Sequence, residues 1–206
     1  AQSTTRSRAG DTQFFSPMNI GLYFGSFNPI HNGHLAIASY VLEHTDLHEV
    51  WFVVSPQNPF KANDVLLPEQ QRLHMVQLAI QAIPMMKASD VEFALPKPSY
   101  TYDTLQYLTQ HYPHHSFVLM MGADNAERMH EWKNATQLLG HYPIYVYPRD
   151  NDTPIATQHP DFKYVQAPLY PISSTQIRTQ IANNTDVSAW LHPAVYAYIK
   201  EHNLYK

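Results

Sequence analysis

The chain has 206 residues, 44% of them hydrophobic, and a formal net charge of −4. That length and apolar content suit one domain with a sizeable core, and the acidic balance argues against a protein built to grip nucleic acid through its phosphates, though not against a small anionic substrate. Cysteine is absent, which excludes disulfides and thiolate metal sites and suits a cytoplasmic setting; no signal-peptide pattern opens the chain and no apolar run approaches the ~20 residues of a membrane helix, so no membrane association is expected.

In chain order, residues 1–17 are polar, aperiodic and rich in Ser, Thr, Gln and Arg. They read as a disordered N-terminal extension ahead of one folded domain over 18–206. A first strand is predicted over 19–24. A helix follows over 34–43, with Leu35, Ala38, Val41 and Leu42 on one face. Residues 49–55 form a second, strongly apolar strand. Pro68 suits the first position of a helix that runs to residue 80. A weaker third strand is predicted over 87–94, a helix over 99–111, and an apolar strand over 116–121. A helix over 126–139, a strand over 144–147, a polar loop over 150–160 and a last strand over 163–167 come next. Helices over 174–183 and 193–202 close the chain. Strands alternating with helices predict an α/β fold: a doubly wound parallel sheet of Rossmann-like topology, connected by right-handed crossovers. Ligands of such sheets bind beyond the carboxyl ends of the strands, near the switch point, which puts residues 25–34 and 122–124 on one rim.

The first strand runs into GSFNPIHNGH over 25–34. Gly25 allows a close approach of backbone or an unusual turn, and Pro29 stiffens the loop. His31 and His34 are three residues apart at a helix start, so both rings can face one spot. Gly33 between them keeps the helix start unobstructed. Its amides and positive dipole end suit phosphate. A histidine pair at this spacing commonly serves packing or the surface, and two histidines can also hold zinc. Here no Glu stands between them in the metalloprotease pattern and no third ligand is evident, so no protein-built metal site is expected. The strand, Gly turn and helix start around the pair favour phosphate binding.

At this point a resemblance becomes specific. The 25–34 segment resembles the signature of the HxGH nucleotidyltransferase superfamily, and ISSTQIR over 172–178 resembles that superfamily's ISSTxxR motif. Between them, SPQNPFK over 55–61, PSYTYDTL over 98–105, GAD over 122–124 and Glu131-Trp132 follow the order found in bacterial nicotinate-nucleotide adenylyltransferases. The likeness spans residues 18–206. It implies a nucleotidyltransferase fold in which nicotinate mononucleotide attacks the α-phosphorus of ATP. The products are nicotinate adenine dinucleotide and pyrophosphate, in a step of NAD biosynthesis. It also implies Mg²⁺ held mainly by the substrate phosphates and no covalent enzyme intermediate.

By the same resemblance His31, His34, Lys61 and Arg178 are the catalytic candidates. Gly25, Ser26, Phe27, Gly33, Ser173, Ser174 and Thr175 line the ATP site. Ser99, Tyr100, Thr101, Gly122, Asp124 and Trp132 hold the nicotinate nucleotide, with Trp132 stacking on the pyridine ring. Plain alternatives stand beside these roles: Lys61 as a solvated lysine, Ser173 to Thr175 as a helix cap, Trp132 as a core residue of its helix, Asp124 as a cap. The pattern often has His before the lysine; here Phe60 stands there. Arg72 and Asp103 read as structural residues in surface pairs. Such a site needs no general base, because the nucleophile is already an anionic phosphate; it aligns two polyanions and offsets their repulsion.

Competing readings are the same chemistry on nicotinamide mononucleotide or another phosphate acceptor, a dinucleotide-dependent oxidoreductase, and a non-catalytic nucleotide-binding protein. The oxidoreductase lacks its Gly-x-Gly-x-x-Gly fingerprint after the first strand. The intact set of His31, His34, Lys61 and Arg178 speaks against a decayed site. The Tyr and His residues near the C-terminus are compatible with a homo-oligomer.

Overall fold

A computed structural model describes residues 16–56, 65–149 and 160–206. Residues 1–15 of the predicted 1–17 extension, Lys61, and residues 150–159 of the predicted 150–160 loop therefore lie outside the described residues. Among those described, six strands form one parallel sheet: β1 (Asn19–Gly25), β2 (Glu49–Val54), β3 (Met86–Ser89), β4 (Ser116–Gly122), β5 (Ile144–Tyr147) and β6 (Phe162–Tyr164), in the order β3-β2-β1-β4-β5-β6. This is the doubly wound arrangement expected from the alternation of elements. The switch point falls between β1 and β4, which pair from Asn19↔Ser116 to Tyr23↔Met120.

The sheet is covered on both faces, and the period of two along each strand sorts side chains between two cores. Along β1, Tyr23 joins one core while Ile20 and Leu22 join the other. Along β2, Val50, Phe52 and Val54 face the first core, Trp51 and Val53 the second. The first core is completed by helices α1 (Asn32–His44), α2 (Glu69–Ile80), α6 (Ser174–Ala182) and α7 (Pro193–Glu201) through Ala38, Val41, Val76, Ile177 and Val195. The second is completed by α3 (Thr101–His111) and α5 (Ala135–His141) through Leu105, Leu108 and Leu138. On α1 the predicted face is graded: Ala38 and Val41 are buried, while Leu35 and Leu42 pack at the core's edge.

Three elements differ from expectation. β3 stops at Ser89, and residues Val91–Phe93 form a 3-10 turn instead of extending the strand. The turn carries Glu92 inward, where its carboxylate accepts from Thr104 Oγ1 at 2.7 Å. The predicted helix over 126–139 is broken into α4 (Ala123–Glu127), a 3-10 turn (Met129–Glu131) and α5. Trp132 leaves the turn with extended ψ 149°, and Asn134 takes a left-handed φ of 57°, a conformation Asn tolerates better than most residues. The last strand begins and ends early, at Phe162 and Tyr164, although the Val165 amide still donates to Val146.

Arg72 does not sit at the surface as expected. It makes no surface pair: its side chain is fully buried on α2. Its guanidinium donates to the carbonyl oxygens of Leu67, Ser26, Ser55 and Pro56 at 2.6–3.0 Å. It thereby ties the carboxyl ends of β1 and β2 to the start of α2. Asp103 does make the expected surface pair, with Lys133 Nζ at 3.0 Å.

Candidate active site

At the switch point, beyond the carboxyl ends of β1, β4 and β5, lies a cleft of about 420 Å³. Its lining includes Gly25, Ser26, Phe27, His31, Gly33 and His34 from the first motif, Ser173, Ser174, Thr175 and Arg178 from the ISSTQIR segment, and Asp124 after β4. Side chains separated by more than 140 positions in the chain therefore share one space.

The two histidines build their own seat. His31 is the N-cap of α1 and its Nδ1 accepts from the Gly33 amide at 3.0 Å; His34 Nδ1 accepts in return from the His31 amide at 3.0 Å. This is a capping box in which imidazoles replace the usual Ser and Glu. An Nδ1 that accepts a main-chain proton cannot carry one. Each neutral ring thus holds its proton on Nε2 and presents a donor. The rings lie 3.8 Å apart between centroids. Burial lowers the His31 pKa to about 4, assisted by the Arg149 charge. Burial, His31 and Arg149 together push His34 well below the usual range. Both rings are neutral donors at pH 7.

Gly33 serves this arrangement: a Cβ there would sit 2.7 Å from His31 Cε1. Gly25 makes room for Phe27, since a Cβ would lie 3.1 Å from that ring. Phe27 itself holds a left-handed φ of 48° and packs edge-on to His34 at 5.1 Å.

The depressed pKa values carry a stability consequence. Between pH 6.5 and 4 the unfolded chain binds protons at His31 that the native state refuses, so stability falls as pH falls through that window. For His31 the shift corresponds to about 3 kcal/mol. A His31→Asn variant keeps a capping side chain but not the titration. Denaturation midpoints measured from pH 7 to 4 should show a shallower loss for the variant than for the parent.

A second helix start, that of α6, also opens on the cleft. Ser173 caps it, accepting from the Gln176 amide at 3.1 Å while Gln176 Oε1 accepts from the Ser173 amide. The Ser174 and Thr175 amides are left as the helix-start donors that this cap does not use. Ser174 Oγ donates to Pro29 O at 2.9 Å, and Arg178 Nη1 donates to Asn28 O at 2.9 Å. The two motifs are thus fastened to each other. The capping expected of Ser173 is present, and it leaves two main-chain donors at the helix start.

Sequence reasoning missed Arg149. It follows β5, lines the same cleft, and places Nε 3.3 Å from Asp124 Oδ1 and its guanidinium 5.6 Å from the Tyr147 ring centre. The only sequence signal was its place just past the carboxyl end of a predicted strand. Gly122, at the end of β4, lies beneath it. A Cβ on Gly122 would meet the Arg149 side chain and would sit 2.7 Å from Asp124 Oδ1.

The acceptor candidates sit differently. Ser99, Tyr100, Thr101, Gly122 and Trp132 do not line the cleft. Tyr100 and Trp132 belong to neighbouring segments, since Lys133 lies 4.5 Å over the Tyr100 ring and pairs with Asp103 on α3. Trp132 is half-buried against the second core. Ser99 Oγ is buried with no hydrogen-bond partner among the described residues.

The family model described as cytidylyltransferase-like matches residues 22–180. A protein of Flavobacterium psychrophilum named "probable nicotinate-nucleotide adenylyltransferase" is 48% identical over 192 residues, covering 92% of this chain and all of that protein. One of the same name from Cytophaga hutchinsonii is 53% identical over 171 residues, covering 82% of this chain and 89% of the other. Among solved structures, the nicotinic acid mononucleotide adenylyltransferase of Plasmodium falciparum complexed with NaAD superposes with a TM-score of 0.75 at 22% identity, covering 91% of this chain and 97% of that one. That likeness is one of fold.

Proposed function

Since this chain belongs to the cytidylyltransferase-like family, among the nicotinate-nucleotide adenylyltransferases, we propose that it transfers the adenylyl group of ATP to nicotinate mononucleotide. The observation that carries the reading is the shared cleft. Two neutral imidazole donors, the guanidinium groups of Arg149 and Arg178 and two helix starts converge on one space at the sheet's switch point.

In the step itself, a phosphate oxygen of the mononucleotide bonds to the α-phosphorus of ATP. The bond from that phosphorus to the bridging oxygen breaks, and pyrophosphate leaves with the electron pair. No proton needs to be removed from the nucleophile. His31 and His34 donate from Nε2 to phosphate oxygens, and His34 meets the charge that grows in the transition state. The Ser174 and Thr175 amides and Arg178 hold the distal phosphates. Lys61 is proposed to reach them too. Gly25, Ser26, Phe27 and Gly33 offer backbone to the nucleotide.

A divalent cation, Mg²⁺ by the family resemblance, would neutralise phosphate charge. Among the described residues Asp124 is the carboxylate that lines the cleft, and it is already paired with Arg149. That donor set suits an ion that arrives with the nucleotide phosphates better than one held in a protein cage.

Ser99, Tyr100, Thr101, Gly122, Asp124 and Trp132 are proposed for the acceptor side. Trp132→Ala should raise the KM of nicotinate mononucleotide about tenfold, the worth of one aromatic stacking contact, and leave the KM of ATP within twofold. Equal effects on both substrates would assign Trp132 to the core alone. The whole reading is tested by pyrophosphate release from ATP with nicotinate mononucleotide or nicotinamide mononucleotide as acceptor. Preference for the carboxylate form is expected. Preference for the amide, or no release with either, would overturn it.

A further inference from the structure

We propose that Tyr205, next to last in the chain, is a positioning residue of the nucleotide site that acts through Asn28. This rests on the function proposed above.

Tyr205 is 9% exposed, and its hydroxyl donates to Asn28 Oδ1 at 2.7 Å across 177 positions of sequence. Asn28 is itself 4% exposed, in the loop that carries the histidine pair. It is a junction. Its Oδ1 also accepts from the Leu67 amide at 3.4 Å, its Nδ2 donates to Val65 O at 2.6 Å, and its main-chain oxygen accepts from Arg178 Nη1 at 2.9 Å. One side chain from the C-terminus thereby fixes the residue that joins the first motif, the arginine of the last motif and the segment leading to α2.

The tail is bent to reach this point. Asn203 and Tyr205 both hold left-handed backbone, with φ of 54° and 63°. Asn accepts that conformation readily; Tyr does not, and such a conformation persists only where surrounding contacts over-determine it. Leu204 anchors the turn, buried in the first core. The strain and the hydroxyl's short hydrogen bond together mark a group held for its reach toward Asn28. Burial raises the Tyr205 hydroxyl well above its ordinary value, so it stays a donor at every working pH.

An amide side chain held by three partners keeps its main-chain oxygen in place as the seat for Arg178. With the hydroxyl gone, the contact left to Asn28 Oδ1 among the described residues is the long one to Leu67. Arg178 then loses the fixed seat of its Nη1 while Nη2 keeps its contact to Thr175 Oγ1 at 3.3 Å, and ATP is the substrate that feels the change.

Tyr205→Phe removes the hydroxyl and keeps the ring. ATP affinity is measured by calorimetry without acceptor, alongside KM for each substrate and the melting temperature. The expected result is an ATP Kd and KM raised five- to tenfold, with the acceptor KM within twofold. Unchanged ATP affinity, or a matched loss for both substrates that tracks a lower melting temperature, would overturn the proposal. Asn28→Ala supplies a second reading, independent of how well Tyr205→Phe folds: in that background the Tyr205→Phe change should add less than twofold. Additive effects would overturn the relay through Asn28. Parent protein that binds ATP but turns over no pyridine mononucleotide would refute the proposed function and leave this binding test intact.

Discussion

His34→Ala should slow adenylyl transfer by a hundredfold to a thousandfold while the protein stays folded. In the proposed role the ring supplies one oriented donor to charge that develops at the transferring phosphorus, and loss of such a donor costs about 3–4 kcal/mol of barrier. The structural loss is smaller. His34 Nδ1 closes one half of the α1 capping box, and removal of a cap costs about 1 kcal/mol. Single-turnover transfer measured at saturating ATP, together with a melting curve, separates the two. A rate within tenfold of the parent would remove His34 from the reacting centre. A collapse of the melting temperature would show that the ring is chiefly a cap. Neutrality matters to the same argument. Both rings are held below their ordinary pKa by burial and by Arg149, so they act as fixed dipoles and the rate should not depend on their being protonated in the free protein.

Arg72→Met should destabilise the protein by about 4 kcal/mol, the cost of leaving partners of a buried charge without their donor. Methionine fills much of the volume, so the loss is electrostatic and not a cavity effect. The carbonyls of Leu67, Ser26, Ser55 and Pro56 would lose the guanidinium that they share. Because Ser26 belongs to the first motif, activity should fall as well, even at temperatures where the variant is folded. Chemical denaturation measures the first effect, and kcat/KM for ATP at low temperature the second. A loss of stability below 1 kcal/mol would mean that water satisfies these carbonyls as well as Arg72 does.

The difference between what the sequence discloses and what it hides is clear from these residues. The strong apolar strands and the amphipathic helices report a period, and the period survives folding. The histidine pair is legible because its spacing, its glycine and its position after a strand are all local. Arg72 is hidden for the opposite reason. An arginine on a predicted helix reads as exposed, and only the convergence of two strand ends supplies the oxygens that let it be buried. Arg149 is hidden because an arginine past a strand end has no distinguishing neighbours until Asp124 is brought beside it. The break at 129–134 is missed because Met129 and Trp132 fit a helical stripe equally well as anchors of a turn. Tyr205 gives no signal at all in one dimension, since its partner is 177 positions away.

Gly122 has an ordinary backbone conformation, with φ −72°. Nothing in its own torsion angles asks for glycine, and a strand end tolerates alanine or serine. Yet a single methyl there would occupy the lane along which the Arg149 side chain passes toward Asp124. A glycine just outside the cleft therefore decides where a positive charge comes to rest within it. A survey of substitutions at this position would find the penalty in catalysis, graded by the width of the new side chain, with the fold itself largely indifferent.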